Sequence, residues 1–170
     1  MSATVAESFI TTARYSMRAS LEKISHCVEQ LSESDLAWRP YEQANSITNI
    51  ILHVCGNLRQ WVLHGAGDAP DVRHRPGEFS DRSIIERSEL IGRLRQTIDE
   101  CDAVLAKLSA DDLIQPRRIQ GFKCTKLSAI FDSLTHLQGH TQEIIYITRL
   151  RLGDQYKFKW MPKGKEQGGQ

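Results

Sequence analysis

The chain has no C-x-x-C pair, no marked excess of one charge and no long apolar run, and each absence removes a class of function. Its four cysteines, Cys27, Cys55, Cys101 and Cys124, stand far apart. That spacing excludes a zinc knuckle and a dense disulfide framework, and leaves free thiols buried on helices as the expectation. Lys and Arg total 22 against 21 Asp and Glu, a formal net charge of +1, so neither a nucleic-acid nor an anionic-membrane partner is expected. No segment reaches the length needed to span a bilayer, and the opening MSATVAESF lacks the basic start and apolar run of a secretory signal. A cytoplasmic protein is the expectation. Strict apolar and polar alternation is missing as well, which leaves an all-α architecture.

Against these absences stand 170 residues, 40% of them hydrophobic, enough for one domain with a real core. Val5, Phe9, Ala13, Met17, Leu21, Ile24, Val28 and Leu31 recur at steps of three and four and predict a first long helix. A second helix is expected from a cap at Asn45 or Ser46, with the stripe Ile47, Ile50, Ile51, Val54, Leu58, Trp61 and Val62, ended by Gly65 and Gly67. Residues 66–80 hold two glycines and two prolines without a period, and predict a surface loop. Ser83-x-x-Glu86 has the spacing of a capping box for a third helix that carries Ile84, Ile91, Leu94, Ile98, Cys101, Leu105 and Leu108. The fourth helix is expected from Thr125 to Leu152, stopped by Gly153. Together these predict a four-helix bundle over residues 1–153 with a long crossover between helices 2 and 3, followed by a partly ordered tail, 154–170. Ser32-Glu33-Ser34-Asp35 and Ser109-Ala110-Asp111-Asp112 each follow a long helix and precede a Leu, a faint sign of two similar hairpins.

Chemistry centres on histidine. His136 and His140 stand four apart within the fourth helix, one above the other on the same face. By itself that spacing is a weak motif. Both flank the apolar stripe of Leu127, Ile130, Phe131, Leu134, Leu137 and Ile145. His53 flanks the stripe of the second helix in a sector shared with Asn49, Asn57 and Gln60. Such flanks suit a groove open to water, the setting of a reactive metal site and equally of an ordinary half-exposed histidine. Cys55 lies two residues from His53, roughly opposite its side of the helix, and makes a poor fourth ligand. His26, His64 and His74 have no partner at ligand spacing and suit surface roles.

The histidine of NIILHVCGNLRQW, the His-x-x-x-His of HLQGHTQEIIYITRL and the upstream GFKCT together resemble the DinB/YfiT-like superfamily of metal-binding helical bundles, over about residues 4–153. The resemblance implies a divalent metal ion on His53, His136 and His140, often a dimer, and a thiol-dependent transferase or isomerase using a low-molecular-weight thiol. Three neutral imidazoles suit zinc or nickel, and also iron or copper, and leave open positions on the ion. A thiol at such a position becomes a nucleophilic thiolate; a water would instead make the protein a hydrolase. A non-catalytic metal-binding stress-response protein is a third possibility. Glu143, three residues after His140, can serve as a general base, orient an imidazole or be a surface carboxylate. Asn57 and Arg59 are candidates for binding a small-molecule substrate, with Arg59, Arg73 and Arg75 candidates for holding an acidic group on it. The wide apolar arc of the fourth helix predicts a homodimer through that helix.

Overall fold

The computed structural model describes residues 4–159. Four long helices form the bundle: α1 (Val5–Glu29), α3 (Ile47–Leu58), α5 (Arg87–Leu105) and α7 (Lys126–Leu152). Short helices α2 (Glu33–Leu36), α4 (Arg75–Ser80) and α6 (Ala110–Leu113) punctuate the connections. Each long helix buries one stripe. Met17, Leu21, Ile24 and Val28 of α1 meet Ile47, Ile50, Ile51 and Leu58 of α3, Leu90, Leu94, Ile98 and Leu105 of α5, and Ile130, Leu134, Leu137 and Ile144 of α7 in one core. α1 packs against α5 and α7, and α3 packs against the same two, so α1 and α3 are diagonal. Among the described residues, no helix is long and apolar enough to cross a membrane.

Helix starts follow local chemistry. Thr4 with Glu7, Ser32 with Asp35, Ser46 with Asn49, Ser109 with Asp112 and Thr125 with Ser128 each form a reciprocal cap, which occupies backbone N–H groups that the first turn leaves without partners. The two Ser-led caps at 32 and 109 start the short helices α2 and α6. At its other end α7 stops at Gly153, whose φ of 52° ends the helix there.

Five local expectations are corrected. Residues 66–80 are not all surface loop: they close with α4, which has a proline in its first turn and packs on α3, and Glu78 within it is buried. One helical turn is too short to show a period, so only this tertiary contact reveals it. The third helix begins at Arg87 rather than at Ser83, because Ser83 donates its hydroxyl to Asp81 Oδ1 at 2.6 Å and leaves Glu86 as a cap without a side-chain bond. The second helix does not end on a left-handed glycine; it widens into a π-helical segment, Arg59–His64, and the left-handed residue is Asp68 at φ 60°.

The fourth correction is a hairpin of β1 (Pro116–Ile119) and β2 (Phe122–Thr125), antiparallel with Ile119 opposite Phe122. Its tight turn is Gln120-Gly121, both with positive φ, the pairing that a two-residue hairpin turn demands. Four-residue strands are too short for alternation to register in the sequence. On α7 the buried arc is also rotated from the expected stripe. Ser133, Thr141 and Thr148 are buried, with the latter two bonded back to helix carbonyls, whereas Phe131 is 53% exposed. The tail is described only through Lys159; the expectation for residues 160–170 lies outside the described residues.

Candidate metal centre

His53 comes from the middle of α3, and His136 and His140 from the middle of α7, the helix beside it. Packing of these two apolar stripes brings their flanks together. One ring nitrogen from each histidine lies within 4.8 Å of the other two. The rings stand nearly perpendicular to one another, with centroids 4.4 Å apart for His136 and His140, 5.0 Å for His53 and His136, and 5.2 Å for His53 and His140.

Hydrogen bonds assign the protons. His53 Nδ1 is 2.8 Å from Glu78 Oε2, and His140 Nδ1 is 2.7 Å from Glu143 Oε2. An ionised carboxylate only accepts, so both Nδ1 atoms donate, and in the neutral rings both Nε2 atoms carry a lone pair. His136 Nε2 lies 2.9 Å from His53 Nε2 and donates into that lone pair. Two nitrogens on a tetrahedral ion with bonds of about 2.0–2.1 Å sit about 3.3 Å apart, so a few tenths of an ångström separate this contact from a ligand pair. Three imidazoles, two already oriented through their far nitrogens, form a donor set that fits a divalent transition ion.

Electrostatics favours the neutral form of His53 and His136, the form that binds metal. Burial lowers the His136 pKa to about 4, helped by His140, His53, Arg73 and Arg75. Burial also lowers that of His53, against the opposing pull of Glu78. Glu78 itself stays ionised: burial raises its pKa, but the hydrogen bonds from Arg73 and His53 hold it below the ordinary value.

Beside the histidines lies a cleft of about 360 Å³, lined in part by Asn57, Trp61, Arg75, Gln120 and Asp132. Asn57 is half-buried and accepts a 2.7 Å bond from Ser133. Arg75 stacks over Phe79, whose ring centroid is 4.8 Å from that of His53. Arg59 is elsewhere, 3.1 Å from Glu100 and beside a separate pocket of about 380 Å³. Arg73 is engaged internally, its side chain 3% exposed and forked onto Glu78. Cys55 is buried on the far side of α3, where burial pushes its thiol up to about 11 and Thr97 of α5 is its partner. Glu143 stands on the exposed side of His140.

Glu78, Gln60 and Gln120 belong to this environment and carry no motif that announces it. Gln60 accepts from Arg73 Nη1 at 3.0 Å and donates to Asp71 at 2.8 Å, and Gln120 at the hairpin turn donates to Gln60. The one local sign was Arg75-Pro76-Gly77-Glu78, a proline and an acid spaced as in the first turn of a helix.

The family described as "Protein of unknown function (DUF1572)" matches residues 4–165. No curated protein matches the sequence. Among solved structures, the conserved protein of locus from Enterococcus faecalis superposes with a TM-score of 0.73 at 14% identity, over 89% of this chain and 99% of that one. A DinB-like protein from Bacillus subtilis gives 0.63 at 12% identity, over 82% and 92%. A mycothiol-dependent maleylpyruvate isomerase gives 0.63 at 13% identity, over 79% of this chain and 60% of that one, so the chain spans about three fifths of that enzyme's length. Identities this low establish the fold: it is that of the DinB-like helical bundles.

Proposed function

The chain belongs to the DUF1572 family, and from that premise we propose that it is a cytoplasmic, divalent-metal-dependent enzyme that transfers a low-molecular-weight thiol to a small electrophilic substrate. The observation that carries this reading is the approach of one nitrogen each from His53, His136 and His140 to within 4.8 Å, with His53 and His136 on the wall of a cleft. Zinc or nickel fits three neutral imidazoles best. When bound, such an ion acts as a Lewis acid that lowers a thiol's pKa and makes it a nucleophile near neutral pH.

The chain's own residues supply the rest. Glu143 directs the His140 ring by accepting its Nδ1 proton. Asn57 and Gln120 offer amide groups to a polar substrate atom, and Arg75 offers a cation to an acidic one. Burial of His53 and the apolar faces of Trp61 and Phe79 limit water at the histidines. Thiol use is favoured over hydrolysis by one observation, the fold shared with a mycothiol-dependent isomerase. A homodimer through α7 is part of the proposal, supported by exposed Leu127, Phe131, Tyr146 and Leu150 on that helix.

Elemental analysis of untagged protein tests the reading. Near-stoichiometric metal in the native chain, lost in His53→Ala and His136→Ala, is the expected result. Metal-loaded protein should then accelerate thiol substitution on an electrophile such as a chlorinated aromatic, with release of chloride and a proton. No metal after loading with zinc or nickel refutes the metal assignment, and no rate above background refutes thiol transfer.

A further inference from the structure

Glu78 and Arg73 form a buried ion pair: the Arg73 fork meets both carboxylate oxygens, Nε to Oε1 at 2.7 Å and Nη2 to Oε2 at 2.8 Å. A buried pair of this kind is poor value as a stabiliser, since desolvating two charges offsets most of their attraction and an apolar pair would fill the space as well. Its geometry shows a different use. Oε2 retains acceptor capacity, and His53 Nδ1 occupies it at 2.8 Å. Arg73 Nη2 also lies 3.2 Å from that Nδ1. Both atoms are donors, so they do not bond each other; they converge on the one carboxylate oxygen.

Everything around the carboxylate holds it in place. Gly56 follows His53 by three residues on α3, and a Cβ there would stand 2.0 Å from Glu78 Oε1 and 3.1 Å from Arg73 Nε. Only glycine lets the pair approach the helix this closely. Asn49, fully buried one turn before His53, donates to the backbone carbonyls of Glu78 at 2.9 Å and Asp81 at 3.1 Å, which latches α4 to α3. Gln60 takes the remaining Arg73 Nη1 donor. Thus α3 contributes the ligand, the gap and the latch, while the 73–78 segment contributes the carboxylate and its counter-ion.

We infer that Glu78, fixed by Arg73 in the space left by Gly56, is a positioning residue that locks His53 in the Nδ1–H tautomer and aims its Nε2 at the other two histidines. The inference rests on the metal reading above. The three histidines are then unequal. His53 is pinned by a buried carboxylate from another element, His140 by an exposed one three residues along its own helix, and His136 by no carboxylate among the described residues. An orienting partner of this kind typically contributes ten- to a hundredfold in metal affinity.

Chelator competition with zinc and with nickel, run on the full-length native chain, Glu78→Gln and Glu143→Gln, tests this. The dissociation constant should rise about 10–100-fold in Glu78→Gln and less in Glu143→Gln. In parallel, ¹⁵N NMR of the native metal-free chain should show His53 as the Nδ1–H tautomer, a measurement that stands even if Glu78→Gln fails to fold. Metal uptake by the native chain with an unchanged constant in a folded Glu78→Gln overturns the positioning role alone. A native His53 in the Nε2–H form overturns it equally. No uptake of either metal by the native chain overturns the metal reading itself.

Discussion

Replacing Gly56 with alanine probes the close contact of α3 with Glu78. On an ordinary helix the change would stabilise, by about 1 kcal/mol of helix propensity. Here the added Cβ would fall 2.0 Å from Glu78 Oε1 and 2.8 Å from its Cδ, well inside contact distance. The carboxylate has to leave, and with it go its bond to His53 and at least one arm of the Arg73 fork. Each is a charge-assisted bond in a buried setting, and loss of such a bond costs about 1.5–3 kcal/mol. Two such losses less the propensity gain leave a destabilisation of about 2–5 kcal/mol. For a domain of this size that corresponds to a melting point lower by about 4–20 °C, at about 2–4 °C per kcal/mol. Thermal unfolding followed by circular dichroism in the presence of EDTA reads it without interference from metal. A Gly56→Ala protein as stable as the native chain, or more so, would refute the reasoning, because the 73–78 segment would then not be seated against α3 as described.

Leu94 is fully buried in the centre of α5, and Leu94→Ala should cost about 2–5 kcal/mol in a urea titration; a loss under 1 kcal/mol would contradict the packing. Gly121 has φ +85° with nothing near its Cβ position, so Gly121→Ala should lose about 1–2 kcal/mol through backbone strain alone, and a neutral result would exclude the left-handed turn. Asp102 accepts from Arg14 at 2.8 and 3.0 Å, and that bond lowers its pKa. A depressed carboxylate stabilises the fold above its unfolded pKa of about 3.9 and ceases to do so as pH falls through the folded value. The urea midpoint of Asp102→Asn should therefore trail the native one at neutral pH and converge with it as pH falls below the depressed folded pKa; a gap independent of pH would refute the pairing.

Much of the bundle follows from local rules that a sequence displays openly. Apolar spacing defines the buried stripes of α1, α3 and α5, and α7 begins after Thr125 and stops at Gly153, because caps and helix stops depend on side chains only a few residues away. The pairing of His136 with His140 is legible for the same reason, since four residues along a helix is a distance the backbone sets. Tertiary structure decided what sequence distance conceals. His53 reaches His136 across 83 positions only because α3 and α7 pack side by side. Glu78 lies 25 positions from His53 in a segment with no period, and its role arises from a gap at Gly56 that only a folded neighbour can fill. The burial of His53 likewise depends on α4 covering a polar flank that periodicity assigns to water. Local preference sets where helices run, whereas long-range packing selects which flanks close over one another and so which polar groups become a site.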